Sequence, residues 1–395
     1  MSRPVWAGMT ASLQRELHHL RRARAGRLLV TLLPALMLGV MAWLFAAWVM
    51  RDIPIAVVDL DRSAESRQLT RMLDASPGVR VTSQPSSLAD AQSQIRRLEV
   101  FAVVLVPRDA TRNALRGRQG TVFAYYNATY LTTGQSAVRD IVEAVSAWNA
   151  RLLGERIAKR VGPATLRAPP IAVQSDILHN PARSYELFLL PLLFPAVLSL
   201  GLALAVAASL GREVRDGHLR DWLGAAPWAA IAGKIAPYVA LFSLYGALGV
   251  LYLALLRGDG IAGSALLLML AQPLFYLACA AVALLFVGLT RDMGTSLSAI
   301  GLSIGTALAF SGATFPVVDA PLFTRIWNVL LPLTAYVKVQ TQQQFVGAPW
   351  SVSLWPLGTL LLMVLVAGGI GGWRLIAAAR SPDPLPPAAQ NEAGA

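Results

Sequence analysis

The sequence predicts an α-helical integral membrane protein with six transmembrane helices and an inserted extracytoplasmic α/β domain. Three observations carry this expectation. Of the 395 residues, 55% are hydrophobic and 14% charged, against roughly 25% charged in an average soluble domain. Six apolar stretches, at 28–50, 186–209, 235–256, 264–289, 294–315 and 352–373, are long enough to span a bilayer. A rise of 1.5 Å per residue needs about 20 residues to cross a core of roughly 30 Å. Between the first two stretches lie about 135 residues of different composition, with 18 Lys/Arg, 12 Asp/Glu and no long apolar run.

The chain opens with residues 1–27, in which Trp6, Met9, Leu13, Leu17 and Leu20 recur at helical spacing while Arg15, His18, Arg21 and Arg22 lie elsewhere around the wheel. That pattern predicts an amphipathic helix lying in the membrane interface. His18 and His19 point about 100° apart on a helix, so they read as a solvated basic face rather than a metal site. Residues 28–50 form the first span. The apolar run exceeds the 7–15 residues of a signal-peptide core and no A-x-A site follows it, so an uncleaved anchor is expected rather than a removed signal.

Residues 51–185 alternate strand and helix patterns. Ile53–Val58 reads as a strand, followed by a helix that Ser63 caps, running through Ala75. Val79–Thr82 is a second strand, Ser87–Leu98 a helix, and Val100–Val106 a third strand ended by Pro107. A short helix near Thr111–Leu115, a strand Thr121–Tyr126 and a long helix from Gly134 to Val161 complete a small α/β domain with a partly parallel sheet. Asp59 and Asp61 leave two readings open, a structural turn or an ion site; the adjacent Arg62 and Arg67, and the lack of a third ligand, favour the turn. Asn127-Ala128-Thr129 matches the glycosylation sequon, His179 stands alone, and no Ser/His/Asp set can be assembled.

Charge orients the spans. With the N-terminus inside, the inner segments carry 13 Lys/Arg (Arg3, Arg15, Arg21, Arg22, Arg24, Arg27, Arg212, Arg215, Arg220, Lys234, Arg291, Arg374, Arg380) and the short outer loops 3 (Arg257, Arg325, Lys338). Both termini are therefore expected to be cytoplasmic and the soluble domain outside. The same excess accounts for the net charge of +12 without a nucleic-acid partner. The single cysteine, Cys279, permits neither an intrachain disulfide nor a cysteine metal site.

The spans have essentially no central ionisable residue; Glu186 and Lys234 fall near span ends and are expected to reach the interface. A proton-coupled transporter would need a buried relay, so uphill transport would draw its energy from another polypeptide. The fifth span carries Thr295, Ser296, Ser298, Ser303, Thr306 and Ser311 with Gly301, Gly305 and Gly312, which suits either close helix packing or a polar pathway wall. Gly224 and Gly233-Lys234-Ile235 have the wrong spacing for a phosphate loop, so no ATPase site is expected on this chain and the chain is not read as an enzyme. The tail SPDPLPPAAQNEAGA, within residues 377–395, reads as disordered.

The loop 210–227 interleaves Arg212, Glu213, Arg215, Asp216, Arg220 and Asp221 with Val214, Leu219 and Trp222. It reads as a helix able to dock on a partner, or as a solvated loop. At these residues the chain resembles the membrane subunit of a type-2 ABC transporter, the ABC-2 type exporter permeases, in the subgroup with a large external domain between its first two spans. QRELHHLRRARAGRLLVTLLPALML is similar to that family's basic amphipathic helix running into a first span with an early proline, Pro34. VVDLDRSAESRQL resembles the start of its external domain, and NPARSYELFLLPLL the approach to its second span. REVRDGHLRDWLGAAP matches its E-x-x-x-G loop at Glu213 and Gly217, departing from the usual Thr-rich run at His218 and Asp221-Trp222. SGATFPVVDAPLFTRIWNVLLPLT resembles an external re-entrant segment, giving 186–376 as a five-helix region with a re-entrant stretch at 316–350.

The resemblance implies a permease half-transporter of a bacterial inner membrane, exporting a drug-like or other amphiphilic substrate. Its partners would be a second permease copy, a cytoplasmic ABC ATPase that carries the ATP and magnesium, and in relatives with an external domain a periplasmic membrane-fusion adaptor and an outer-membrane channel. Glu213, Asp216 and Gly217 would form the ATPase-coupling site, and Glu213→Lys is expected to leave folding nearly unchanged while uncoupling hydrolysis from export. The alternative from another class is a non-transporting receptor or scaffold whose external domain binds a partner.

Overall fold

The computed structural model of the chain describes residues 5–45, 51–115, 120–126, 131–160, 185–256, 260–314, 317 and 320–381. The sequon at Asn127, His179 and the tail beyond Ser381 lie outside the described residues. The chain divides into two compact units, Met1–Ala46 with Glu186–Ala395, and Ala47–Tyr185.

The first unit begins with helix α1 (Val5–Arg22), a short α2 (Arg24–Arg27) and a π-helical turn at Leu28–Leu32 that runs into α3 (Leu33–Leu44), with Pro34 in its first turn. Leu32 and Leu33 are themselves helical, so Pro34 lies within a continuous run, and its missing N–H falls where the π-helical turn, closed by Leu33 N–H on the Leu28 carbonyl, interrupts the α-helical ladder. The apolar helix Leu28–Leu44 falls short of the roughly 20 residues that a span requires. Residues 46–50, which complete the expected first span, lie outside the described residues. Among the described residues five helices, not six, are long and apolar enough to cross a membrane.

The second unit is built on a four-stranded sheet in the order β2-β1-β3-β4. Its strands are β1 (Ile53–Asp59), β2 (Val79–Ser83), β3 (Ala102–Val106) and β4 (Phe123–Tyr126). β1 pairs parallel with β2 and β3, and β3 antiparallel with β4. The helices between strands are α4 (Ala64–Asp74), α5 (Leu88–Arg96) and α6 (Ala110–Leu115), followed by α7 (Leu131–Arg160). Ser63 and Ser87 cap α4 and α5 by accepting from the backbone N–H groups of Ser66 and Asp90. Side chains alternate across β1 with period two. Ile53, Ile55 and Val57 join Leu69, Leu73, Ile141 and Trp148 on one face, while Ala56 and Val58 meet Ala91 on the other. The unit therefore has helices on both faces of a mostly parallel sheet.

The rest of the first unit is helical. α8 (Tyr185–Arg215) contains Pro191 and Pro195, and α9 (Leu219–Leu223) is a single short turn. α10 (Pro227–Leu251) continues through a π-helical turn at Tyr252–Leu256, and α11 (Ala265–Thr290) starts at a Ser264 cap. α12 (Met293–Ser303) and α13 (Ala307–Phe310) occupy the expected fifth span, which is interrupted at Ile304–Thr306. The hydroxyls of Ser303 and Thr306 take up the carbonyls of Ala299 and Leu302, bonds that bend a helix within a glycine-rich stretch. α14 (Leu322–Leu330) and α15 (Pro332–Gln340) follow, then α16 (Trp350–Arg380). The face of α14 that carries Leu322, Phe323, Ile326 and Val329 is exposed, whereas Leu333, Tyr336, Val337 and Val339 of α15 are buried.

Candidate functional site

Where α1 crosses α10, Gly233 lets the two backbones meet, since a Cβ there would collide with the carbonyl of Met9. The close approach brings the buried face of α1 onto the ends of α8 and α10. Ser12 donates to the Ala230 carbonyl at 2.8 Å and accepts from the Trp222 indole N–H at 2.9 Å, which ties α1 to both α9 and α10.

One turn along, Glu16 is 1% exposed. Its carboxylate accepts from Ser209 (2.9 Å), the Arg212 guanidinium (2.9 and 3.0 Å), the Lys234 ammonium (2.8 Å) and the Tyr238 hydroxyl (2.6 Å). Lys234 is equally enclosed and also donates to Glu213 at 2.7 Å, while its ammonium lies 5.1 Å over the Trp222 ring. The half-exposed Arg15 donates to the second oxygen of Glu213 at 3.2 Å. Two carboxylates and three cations thus form one network from α1, α8 and α10. Burial alone would raise the Glu16 carboxyl; the Lys234 charge and hydrogen bond, Tyr238 and Arg212 outweigh it and hold the group at about 2. On the outer side of the same helix His18 is exposed, and His19 is held below its usual value by partial burial and by Arg212.

Beyond this network α8 ends at Arg215; the next residue, Asp216, is exposed and paired with Arg215 at 3.0 Å, and Gly217 turns the chain at φ +71°. Only glycine adopts that backbone conformation without strain. The short α9 then presents Arg220 and Asp221 outward while Leu219, Trp222 and Leu223 are buried.

The residues expected to act together are therefore split. Asp216 and Gly217 lie on the surface, whereas Glu213 is 4% exposed and bonded inward. The expectation that Glu213→Lys spares folding is overturned, because the new ammonium would sit against Lys234 with Glu16 as their only common counter-charge. Lys234 and Glu186 do not reach an interface as expected: both are buried, and Glu186 accepts from the Tyr252 hydroxyl at 2.8 Å. Long-range pairing with Glu16 and Glu213, not side-chain length, satisfies Lys234. Leu17, expected on the apolar face of α1, is 39% exposed, and Ser12 and Glu16 take the inward positions. Sequence reasoning missed Glu16, Ser12, Ser209 and Tyr238 as members of the site. The one available signal was the i, i+4 spacing of Ser12 and Glu16.

In the second unit Asp59 forms a turn: it accepts from the backbone N–H groups of Asp61 and Arg62 and from the Ser66 hydroxyl. Among the described residues no three His, Cys, Asp or Glu cluster as metal ligands would.

A sequence profile described as ABC-2 family transporter protein matches residues 24–373. The chain is 22% identical over 356 residues to the probable multidrug ABC transporter permease YbhR of Escherichia coli strain K12, covering 87% of this chain and 92% of that protein. The same figures hold for its counterpart in Escherichia coli O157:H7.

Proposed function

The chain belongs to the ABC-2 transporter family, and from that premise we propose that it is the membrane-spanning permease subunit of an ATP-driven exporter. Two copies would enclose a translocation pathway, and a separate ABC ATPase would bind and hydrolyse ATP beneath them. The termini would face the cytoplasm of a bacterial inner membrane, with the α/β unit outside. The substrate would be a drug-like or other amphiphilic molecule, in keeping with the printed name of the E. coli relative. Relatives with an external domain suggest an adaptor and an outer-membrane channel as further partners.

The observation that carries this reading is the bonding of the 212–222 segment to α1. Arg212, Glu213 and Trp222 are fastened to Glu16, Arg15 and Ser12, while Arg215, Asp216, Arg220 and Asp221 remain exposed for a partner. A push on the exposed residues would then be delivered to the ends of α8 and α10 and to α1 together. A ligand shifts a conformational equilibrium only by its difference in affinity for the two states. ATP, bound on another chain, can supply that difference only through such a contact. Asp216 and Gly217 would form the touching part of the coupling site, and Glu213 the anchor behind it.

The test is a tagged pull-down from native membranes in mild detergent with mass spectrometry. Recovery of a P-loop ATPase near one copy per permease is expected. Repeated recovery of an extracytoplasmic protein and no ATPase would replace this reading with that of a membrane receptor or scaffold.

A further inference from the structure

The first unit holds a second polar cluster, independent of the charge network. A small cavity lies between α8, α10, α11 and α15, lined by Phe194, Gly246, Gln272, Tyr276, Tyr336 and Gln340. The four polar residues are all buried, none more than 4% exposed. Each of the two amide nitrogens has a hydrogen-bond partner. Gln272 Nε2 donates to the Tyr336 hydroxyl at 2.5 Å, and Gln340 Nε2 donates to Gln344 Oε1 at 3.0 Å. Left over are Gln272 Oε1, Gln340 Oε1 and the Tyr276 hydroxyl, each buried and without a hydrogen-bond partner. Ser243 Oγ and Gln344 Nε2 are unpartnered as well, but neither residue lines this cavity.

We propose that the cavity is a binding site for one internal water molecule, held by Gln272, Gln340 and Tyr276. The stoichiometry matches. A water donates twice and accepts twice, so its two O–H groups meet the two amide oxygens and a lone pair takes the Tyr276 proton. One molecule thereby satisfies three groups whose burial would otherwise carry the full desolvation penalty. Size agrees, since the space accommodates about one water-sized molecule. The lining contains no carboxylate, so an ammonium would be buried without a counter-charge. Gly246 keeps the site open: a Cβ there would collide with Gln272 Oε1 and stand 2.7 Å from the Tyr276 hydroxyl. The water joins α11 to α15 through hydrogen bonds that can exchange partners as the helices shift, which a dry packed contact cannot do.

The test is the sign of a stability change. Tyr276→Phe removes one hydroxyl and keeps the ring against Phe275 and Phe242. If water fills the site, the variant strands it and lowers the Tm of the full chain in detergent by a few degrees. If the site is dry, deleting an unpaired hydroxyl leaves the Tm unchanged or raises it, and the proposal falls. A cryo-EM map in lipid nanodiscs, at a resolution that shows ordered water, decides independently should the variant fail to fold. Density within hydrogen-bond distance of all three atoms is expected, and an empty cavity overturns the assignment. Neither readout involves ATPase binding or export, so failure here leaves the transporter reading untouched.

Discussion

Glu16 and Lys234 stand 218 positions apart in the chain and meet at 2.8 Å with both side chains nearly sealed from solvent. Each needs the other. A lone buried carboxylate or ammonium is severely destabilising, whereas a paired and fully hydrogen-bonded one is tolerated. Because Lys234 also holds Glu213, its ammonium is the junction through which α1 and the end of α8 share one lock on α10.

Lys234→Met should therefore do more harm than an ordinary surface charge deletion. It leaves Glu16 to Arg212, Ser209 and Tyr238, and Glu213 to the half-exposed Arg15. The expected loss is about 3–5 kcal/mol, the range for breaking one side of a buried pair. Thermal unfolding in detergent measures it. A second variant carrying Glu213→Gln as well should lose less than the two single losses added, because the two groups are in contact.

The depressed carboxyl of Glu16 makes stability depend on pH with a definite sign. Its value falls from an unfolded 4.5 to about 2, so the folded state binds the proton more weakly than the unfolded one. The stabilisation is complete above about pH 4.5 and is lost as pH falls towards 2. At 1.36 kcal/mol per unit, the contribution at neutral pH is about 3 kcal/mol. Unfolding midpoints measured at pH 7, 5, 4 and 3 should fall for the wild type and change less steeply for Glu16→Gln. Parallel profiles would remove Glu16 as the titrating group.

Much of the α/β unit was legible because strands and caps are local. The strand expected at Ile53–Val58 runs Ile53–Asp59, that at Val79–Thr82 runs Val79–Ser83, and Ser63 and Ser87 cap the helices that follow. Val100 and Phe101 were expected in the third strand, which begins at Ala102. Five of the six expected spans match helices long and apolar enough to cross a membrane, but hydropathy did not show the interruption at Ile304–Thr306, where hydroxyls compete for backbone carbonyls. The charge network was the least legible feature. Within its own helix Glu16 is one acid among many bases, and only its i, i+4 spacing from Ser12 marks a polar pair on one face. Its partners Ser209, Arg212, Lys234 and Tyr238 lie some two hundred positions away.

Asp216 offers the opposite case to Lys234, a charged residue whose replacement should spare the fold. It is exposed, and its pair with Arg215 is a surface contact worth well under about 1 kcal/mol. Asp216→Lys should keep the wild-type Tm within about a degree or two while reducing recovery of the ATPase in the pull-down and lowering export. Undiminished ATPase recovery and export would remove Asp216 from the coupling surface.

The orientation proposed from the positive charges can be read with single cysteines. The native Cys279 is 1% exposed, so it gives little background labelling in the folded chain. Gln14 on α1 and Gln92 on α5 are both exposed, one in each unit. Replacing either should cost little, since exposed substitutions away from special features change stability by about 0.5 kcal/mol or less. With a membrane-impermeant maleimide, Gln92→Cys should react in cells whose outer membrane alone has been opened. Gln14→Cys should react only once the inner membrane is permeabilised. Long domains cross largely regardless of their charge, whereas a short segment carrying Arg15, Arg21 and Arg22 is expected to stay inside. The reverse labelling pattern would therefore overturn the topology and, with it, the placement of Asp216 and Gly217 within reach of a cytoplasmic ATPase.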